Sequence, residues 1–344
     1  MTGLTLKTIA SLTGVSVSTV SRIINSLDDT FASKEVRDRV WAAIQETGYI
    51  PNPSARALRL KVAGKTASGP SLLTVILGRT HKPDDNPFFA QVSRAIEQQS
   101  LNMGHSISRL YSILDTREGG ALAKIEPART DGAFVLGRVD PKMIPYLEKR
   151  YKNIIYIGRN VIDAAWDQVI CDGYEATRVA LEYLIAKGHR QIGYIGERSE
   201  EIRWSAYIDT LAKHDLEING GWVADCVQNS AGGYSGAEKL LEKARPLPTA
   251  IFCAADAAAI AAMRRFHEAK IKIPRQLSII GMDNIDLSGY VSPMLSTIEM
   301  PIVEMAGAAV KTLLDRIDKR HKLPMKIFLP GTLIPRESVR EIQR

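Results

Sequence analysis

Cysteine is scarce in this chain of 344 residues: there are three, Cys171, Cys226 and Cys253. They lie too far apart for a metal knuckle or a disulfide framework, which points to a reducing, cytoplasmic setting. No run of about 18 apolar residues is present to cross a bilayer, and the first residues lack the apolar core of a signal peptide. Nucleotide-binding loops are missing as well. No Gly-x-Gly-x-x-Gly follows a strand pattern, no phosphate loop ending in Gly-Lys-Ser/Thr occurs, and the glycines of 232–236 have neither spacing. The 6 histidines show no metal-pair spacing; His189 and His267 read as surface or lobe-packing residues. No Ser-His-Asp signature is visible. Together these absences argue against an enzyme, and no cofactor or metal is expected. The formal charge of +7 is only mildly basic. It would supply phosphate attraction and salt dependence, not a choice of base sequence.

What is present begins at residue 6. Segment 6–13 suits a short helix with Leu6, Ile9 and Ala10 on one face, and segment 17–25 a second with Val20, Ile23 and Ile24 turned inward. Between them Gly14 can take the positive φ of a sharp turn, and Ser16 is a natural N-cap. This is helix-turn-helix grammar. The outward face of the second helix carries Ser18, Thr19, Ser21, Arg22 and Asn25. Hydroxyls and amides bond phosphate oxygens, and Arg22 can reach guanine O6 and N7 together. Base reading would concentrate at Val17, Ser18 and Arg22. A plain helical domain with a polar surface shares this pattern, so the residues C-terminal to it must separate the two. A third helix should start at Ser33, with Glu35 in its first turn, Gly48 as its stop, and Val36, Val40, Ala43, Ile44 and Trp41 on its core face. Asn52 and Pro53 then open a helix of barely two turns, too short to hold by itself in water.

Segment 62–71 reads as a linker. Beyond it, short apolar runs at 73–78, 106–110, 132–137, 154–158, 191–196, 250–253 and 278–282 alternate with helical stretches at 89–102, 175–187, 234–244, 257–269 and 303–318. Such alternation means parallel sheets wrapped by helices. There is more of it than one sheet needs, so two lobes are expected.

The motifs Thr5-Leu6, Gly14-Val15-Ser16, 18–22, Gly48-Tyr49 and 52–58, followed by Asn86-Pro87-Phe88-Phe89, 252–256, 281–284 and 295–298, resemble the lactose-repressor and galactose-repressor family along almost the whole chain. The resemblance implies a small all-helical helix-turn-helix head joined to an α/β, two-lobed, periplasmic-binding-protein-like core of doubly wound parallel sheets. The implied divisions are a head at 1–51, a hinge helix at 52–61, a linker at 62–71, one lobe at 72–170 with 299–330, and a second at 171–298 with 331–344. It also implies a homodimer on a near-palindromic operator, controlled by a small sugar or sugar derivative, with no membrane partner. Thr5, Ser16 and Asn52 join the DNA-facing set. Leu58 would wedge into a minor-groove base step, with Ala55 on the groove floor and Arg59 along its wall; the alternative for Leu58 is an ordinary linker leucine.

Ligands of open α/β sheets sit beyond the carboxyl ends of the strands. That rule nominates Arg79, Thr80, Arg138, Arg159, Glu197, Asp283 and Asn284. The resemblance adds Arg203 as a ligand-gripping arginine and Asp283 as an acceptor for ligand hydroxyls. A solvated helix arginine and a turn aspartate are the competing readings. Phe88 could stack on a sugar ring or simply pack in the core. Ala255 stands where relatives often carry asparagine. Arg138 and Arg159 suggest an acidic effector, against the alternative that they pair with carboxylates at the rim. A rival function is a soluble sugar-binding or sugar-transforming protein without a regulatory role.

Overall fold

The computed structural model describes residues 5–25, 32–47, 71–78, 86–113, 130–244 and 246–342. Asn52, Ala55, Leu58, Arg59, Arg79 and Thr80 lie outside them, as do the expected hinge helix and linker residues 62–70. The chain divides into two units, Met1–Pro70 and Ser71–Arg344.

In the first unit, α1 (Leu6–Thr13), α2 (Val17–Asn25) and α3 (Lys34–Thr47) pack around Ile9, Ala10, Val20, Ile23 and Val40. Thr5 caps α1 in a box with Thr8, and Gly14 closes it at φ 68°. A residue with a side chain is strained in that left-handed conformation, so glycine suits the turn. The Ser16 hydroxyl accepts from the Thr19 N–H at 3.1 Å, and the Ser33 hydroxyl from the Val36 N–H at 3.4 Å. Both are the N-caps read from the sequence. Trp41 is a correction: it is 46% exposed rather than part of the core face. Val40 already fills the inward position, and a neighbour one residue on is turned by about 100° round the helix axis.

The second unit holds two parallel sheets. In the larger, the order is β11-β5-β4-β3-β1-β2, with β1 at Leu72–Leu77, β2 at Ser106–Ser112, β3 at Gly132–Leu136, β4 at Ile154–Gly158, β5 at Asp167–Cys171 and β11 at Lys326–Leu329. The smaller runs β7-β6-β8-β9, with β6 at Ile192–Gly196, β7 at Val223–Asp225, β8 at Ala250–Cys253 and β9 at Ser278–Ile280. Strands β1, β3, β4, β5, β6, β8 and β9 are buried almost throughout. Continuous apolar runs are what two-sided burial demands.

Helices α4 (Pro87–Asn102) and α10 (Ile302–Ile317) cover one face of the large sheet, and α5 (Ile144–Arg150) the other. The small sheet lies between α6 (Gly173–Ala186) with α7 (Ile202–Lys213) and α8 (Ser230–Lys243) with α9 (Asp256–Glu268). The chain passes between the lobes after β5, after β10 (Thr297–Glu299) and between β11 and β12 (Thr332–Ile334); β10 and β12 pair antiparallel at the crossing. One residue differs from its sequence reading: Ser71, expected in the linker, is buried in the core and its N–H donates to His105 Nδ1 at 2.9 Å. Of the two readings of His189, surface or lobe packing, the structure shows the second: it is fully buried and bonded to Thr249 and to the Arg340 carbonyl. It thereby pins the segment after β12 to the small-sheet lobe. Among the described residues no helix is long and apolar enough to cross a membrane.

Candidate functional site

Each sheet changes winding direction beside its first strand: β1 lies between β2 and β3, and β6 between β7 and β8. The loops at the carboxyl ends of these strands face one another across a cleft, as the switch-point rule requires. The cleft encloses about 210 Å³ and is lined by Asn86, Phe88, Arg138, Arg159, Asn160 and Tyr156 from the first lobe and by Glu201, Arg203, Gln228 and Ala255 from the second, among others.

Backbone geometry places these groups. Asn86 caps α4 by accepting from the Phe88 N–H at 3.0 Å, which fixes Phe88 and Phe89 at the cleft floor. Gly137 has φ 76°, and a Cβ there would come within 2.6 Å of the Phe89 ring. Only glycine lets the chain turn that closely and present Arg138.

The arginines are the dominant feature, and each has a carboxylate partner. Arg203 is 3% exposed and its guanidinium donates to both Glu201 oxygens, at 2.7 and 2.8 Å, and to the Ala254 carbonyl and Gln228 side chain. Burial alone would push the Glu201 carboxyl up, but the charge and bonds of Arg203 outweigh it and hold the carboxyl down to about 2. The same pairing holds the Arg203 guanidinium above its ordinary value despite burial. Arg138 reaches across the cleft to Glu200 at 2.5 Å, to Glu197 at 3.6 Å and to the Ser199 carbonyl at 3.2 Å. Arg159 bonds Asp283 across the same gap and lies 4.1 Å above the Phe88 ring. Asn160 donates from Nδ2 to the Glu200 carbonyl at 3.4 Å. In all these cross-lobe links the first lobe donates and the second accepts.

The pairing bears on two sequence readings. Asp283 is 4% exposed, and one of its carboxylate oxygens accepts from Arg159. The positive charge of Arg138 and Arg159 is matched by Glu197, Glu200 and Asp283, which removes the support for an acidic effector. Phe88 is 2% exposed, with its ring under the Arg159 guanidinium.

Glu201, Gln228, Asn160 and Asp256 were not singled out from sequence. Glu201 is the N-cap of α7, so its side chain folds back to Arg203 two positions on. Asp256 is fully buried, accepting from the Thr297 hydroxyl at 2.7 Å and the Ile285 N–H at 3.1 Å. Burial, and then the nearby Asp283 charge, push its carboxyl up to about 7. Asp283 itself has φ 122° and Asn284 φ 50°, left-handed conformations at the end of a strand that are held by their surroundings.

In the head, Ser18 and Arg22 are exposed at α2, while Val17, Thr19 and Ser21 are half-buried. Val17 packs against the head core. The Ser16 hydroxyl is engaged by the cap and by the Ser18 and Thr19 hydroxyls, at 2.7 and 2.8 Å. Thr5 is exposed and works as the α1 cap. Asn25 ends α2.

Two family models match parts of the chain. Residues 5–52 match the model of bacterial regulatory proteins of the lacI family, and residues 181–339 that of the periplasmic binding protein-like domain. The HTH-type transcriptional repressor PurR of Yersinia enterocolitica is 29% identical over 344 residues, covering 97% of this chain and 96% of its own; its Yersinia pestis counterpart is 29% identical as well. Among solved structures, a complex of the transcriptional regulator CelR with cellobiose superposes with a TM-score of 0.70 at 25% identity, over 98% of this chain and 100% of its own. A lacI-family regulator from Enterococcus faecium with bound ribose shares the fold, with a TM-score of 0.66 at 24% identity over 79% of this chain and 100% of its own.

Proposed function

Because the chain belongs to the lacI family of bacterial regulatory proteins, and is therefore an effector-responsive DNA-binding transcriptional regulator and not an enzyme, we propose that it acts as a homodimeric repressor of carbohydrate-use genes whose operator affinity is set by a small sugar-like ligand in the cleft between its lobes. The observation that carries this reading is the pairing of a capped helix-turn-helix, with Ser18 and Arg22 exposed on α2, with a polar cleft at the switch points of two sheets.

One helix-turn-helix reads too few base pairs for a genome, so two heads on a twofold axis are required. Arg22 and Ser18 serve as base and phosphate contacts, joined by Thr5, Ser16, Val17, Thr19, Ser21 and Asn25 around the helix. Asn52, Ala55, Leu58 and Arg59 follow the resemblance as the minor-groove set. In the cleft, Phe88, Arg138, Arg159, Arg203 and Asp283 hold or frame the effector; Arg79, outside the described residues, follows the strand-end rule as a further effector contact.

A ligand shifts an equilibrium only by its different affinity for the two states. The cross-lobe bonds of Arg138, Arg159 and Asn160 exist only at one angle between the lobes. A ligand that reinforces or replaces them selects that angle and, through the segment joining core to head, sets DNA affinity. The test is a selection of bound duplexes from random sequence by the purified full chain. A near-palindromic consensus supports the reading. Retention of random sequence without enrichment, at moderate ionic strength, overturns it.

A further inference from the structure

The chemistry of the effector is legible in two atoms of the cleft. Arg159 Nε and Asn160 Oδ1 are both buried, both belong to side chains lining the cavity, and among the described residues neither meets a hydrogen-bonding group. Buried polar atoms of this kind are rarely left unmade, because each then forfeits its bond to water. One is a donor and the other an acceptor, on consecutive residues after β4.

We infer that Arg159 and Asn160 read the effector as an uncharged molecule that offers an acceptor beside a donor, and that Asn160 is the residue that rejects anionic analogues. The inference rests on the cleft being the effector site. A sugar hydroxyl supplies both roles at once. A carboxylate or a dianionic phosphate only accepts: it satisfies Arg159 Nε and leaves Asn160 Oδ1 facing a second lone pair.

Rotating the Asn160 amide does not rescue the anion. Its Nδ2 donates to the Glu200 carbonyl, and a flipped amide would set oxygen against oxygen there. Nor does the surrounding charge welcome an anion. Three guanidinium groups, of Arg138, Arg159 and Arg203, already face four carboxylates, of Glu197, Glu200, Glu201 and Asp283. An anionic ligand must break one of these pairs, whereas a neutral one leaves them intact.

The test is isothermal titration of the full-length protein with matched neutral and acidic probes: glucose and glucuronate, galactose and galacturonate, ribose and ribonate, cellobiose and cellobionate. At least one neutral probe should bind, with its acid at least about tenfold weaker, the cost of one unmade buried bond. Asn160→Leu should weaken the neutral probe by about tenfold and narrow its margin over the acid. A far-ultraviolet circular dichroism spectrum and a cooperative thermal transition matching those of the wild type serve as the folding control for Asn160→Leu. An acid that binds as well as its neutral partner overturns the inference. So does a margin unchanged in Asn160→Leu, or the failure of every neutral probe to bind. Val227 lines the cavity at an exposed position. A probe that still binds Val227→Trp overturns the reading of the cleft as the ligand site, and this inference with it. A probe lost in Val227→Trp that nonetheless favours the acid overturns the inference alone.

Discussion

Arg159, directly after β4 in one lobe, bonds the carboxylate of Asp283, just beyond β9 in the other, and the two side chains are only 12% and 4% exposed. Residues 124 positions apart in sequence thus form a buried ion pair across the cleft. Burial disfavours the charged form of each, raising the Asp283 carboxyl and lowering the Arg159 guanidinium, and each offsets part of the penalty of the other.

Removing one partner leaves the other charge buried. Arg159→Met should lower the unfolding free energy by about 3 kcal/mol, and Arg159→Met with Asp283→Leu should recover most of that loss. Chemical denaturation of the two single variants and the double variant measures the coupling. Additive losses would show that the pair contributes nothing as a pair.

Asp256 gives a pH dependence of unusual sign. Its folded carboxyl titrates at about 7, against an ordinary value of 3.8. Between those limits the folded protein binds more protons than the unfolded chain, so this group makes stability fall as pH rises from about 4 to 7. The groups around it are Asp283, Thr297, the Ile285 N–H and Arg336. Asp256→Asn should remove that slope, a contribution on the order of a few kcal/mol. Denaturation midpoints at pH 5, 6, 7 and 8, chosen as roughly even steps across the window, check it; identical slopes in variant and wild type would contradict it.

Glu201 acts in the opposite direction and at lower pH. Its carboxyl is held down to about 2, from an ordinary 4.5, so its stabilisation is present above 4.5 and is lost as pH falls toward 2. Glu201→Gln should cost about 3 kcal/mol at neutral pH, since Arg203 stays buried without its counter-charge. It should also flatten the acid limb of the stability curve. Thermal unfolding across that range reads both effects.

How much of this could be read from the chain depends on how local each signal is. The head was legible because its turn, caps and inward apolar positions lie within a few residues: Gly14, Ser16, Ser33 and Val20 behave as their types suggest. Trp41 misled because helix periodicity places it at the edge of the core face, and only packing decides which edge is covered. The buried strands showed as apolar runs, whereas β7, β10 and β12, three residues each, fall below any periodic signal. The cleft was partly legible through the strand-end rule. Its charge state was not, because Arg138 and Glu200 lie 62 residues apart and Arg159 and Asp283 still further. Positive charge counted along the sequence therefore looked like an anion trap until the fold supplied the carboxylates.

At the head, Arg22→Ala should weaken specific duplex binding by about 1–3 kcal/mol and relax preference at one base pair in each half-site. The helix should persist, because Arg22 is exposed and the core beneath is Val20 and Ile23. Competition between duplexes that differ at single positions measures it. A uniform loss across all sequences would reassign Arg22 to a phosphate.

The central claim, that occupancy of the cleft is felt at the DNA, is tested most directly by fluorescence anisotropy of the selected duplex titrated with the full chain, with and without a saturating probe shown to bind by calorimetry. The account predicts a change in duplex affinity of at least about fivefold, in either direction, that disappears in Val227→Trp. An affinity for the duplex that stays the same when the cleft is filled would contradict it.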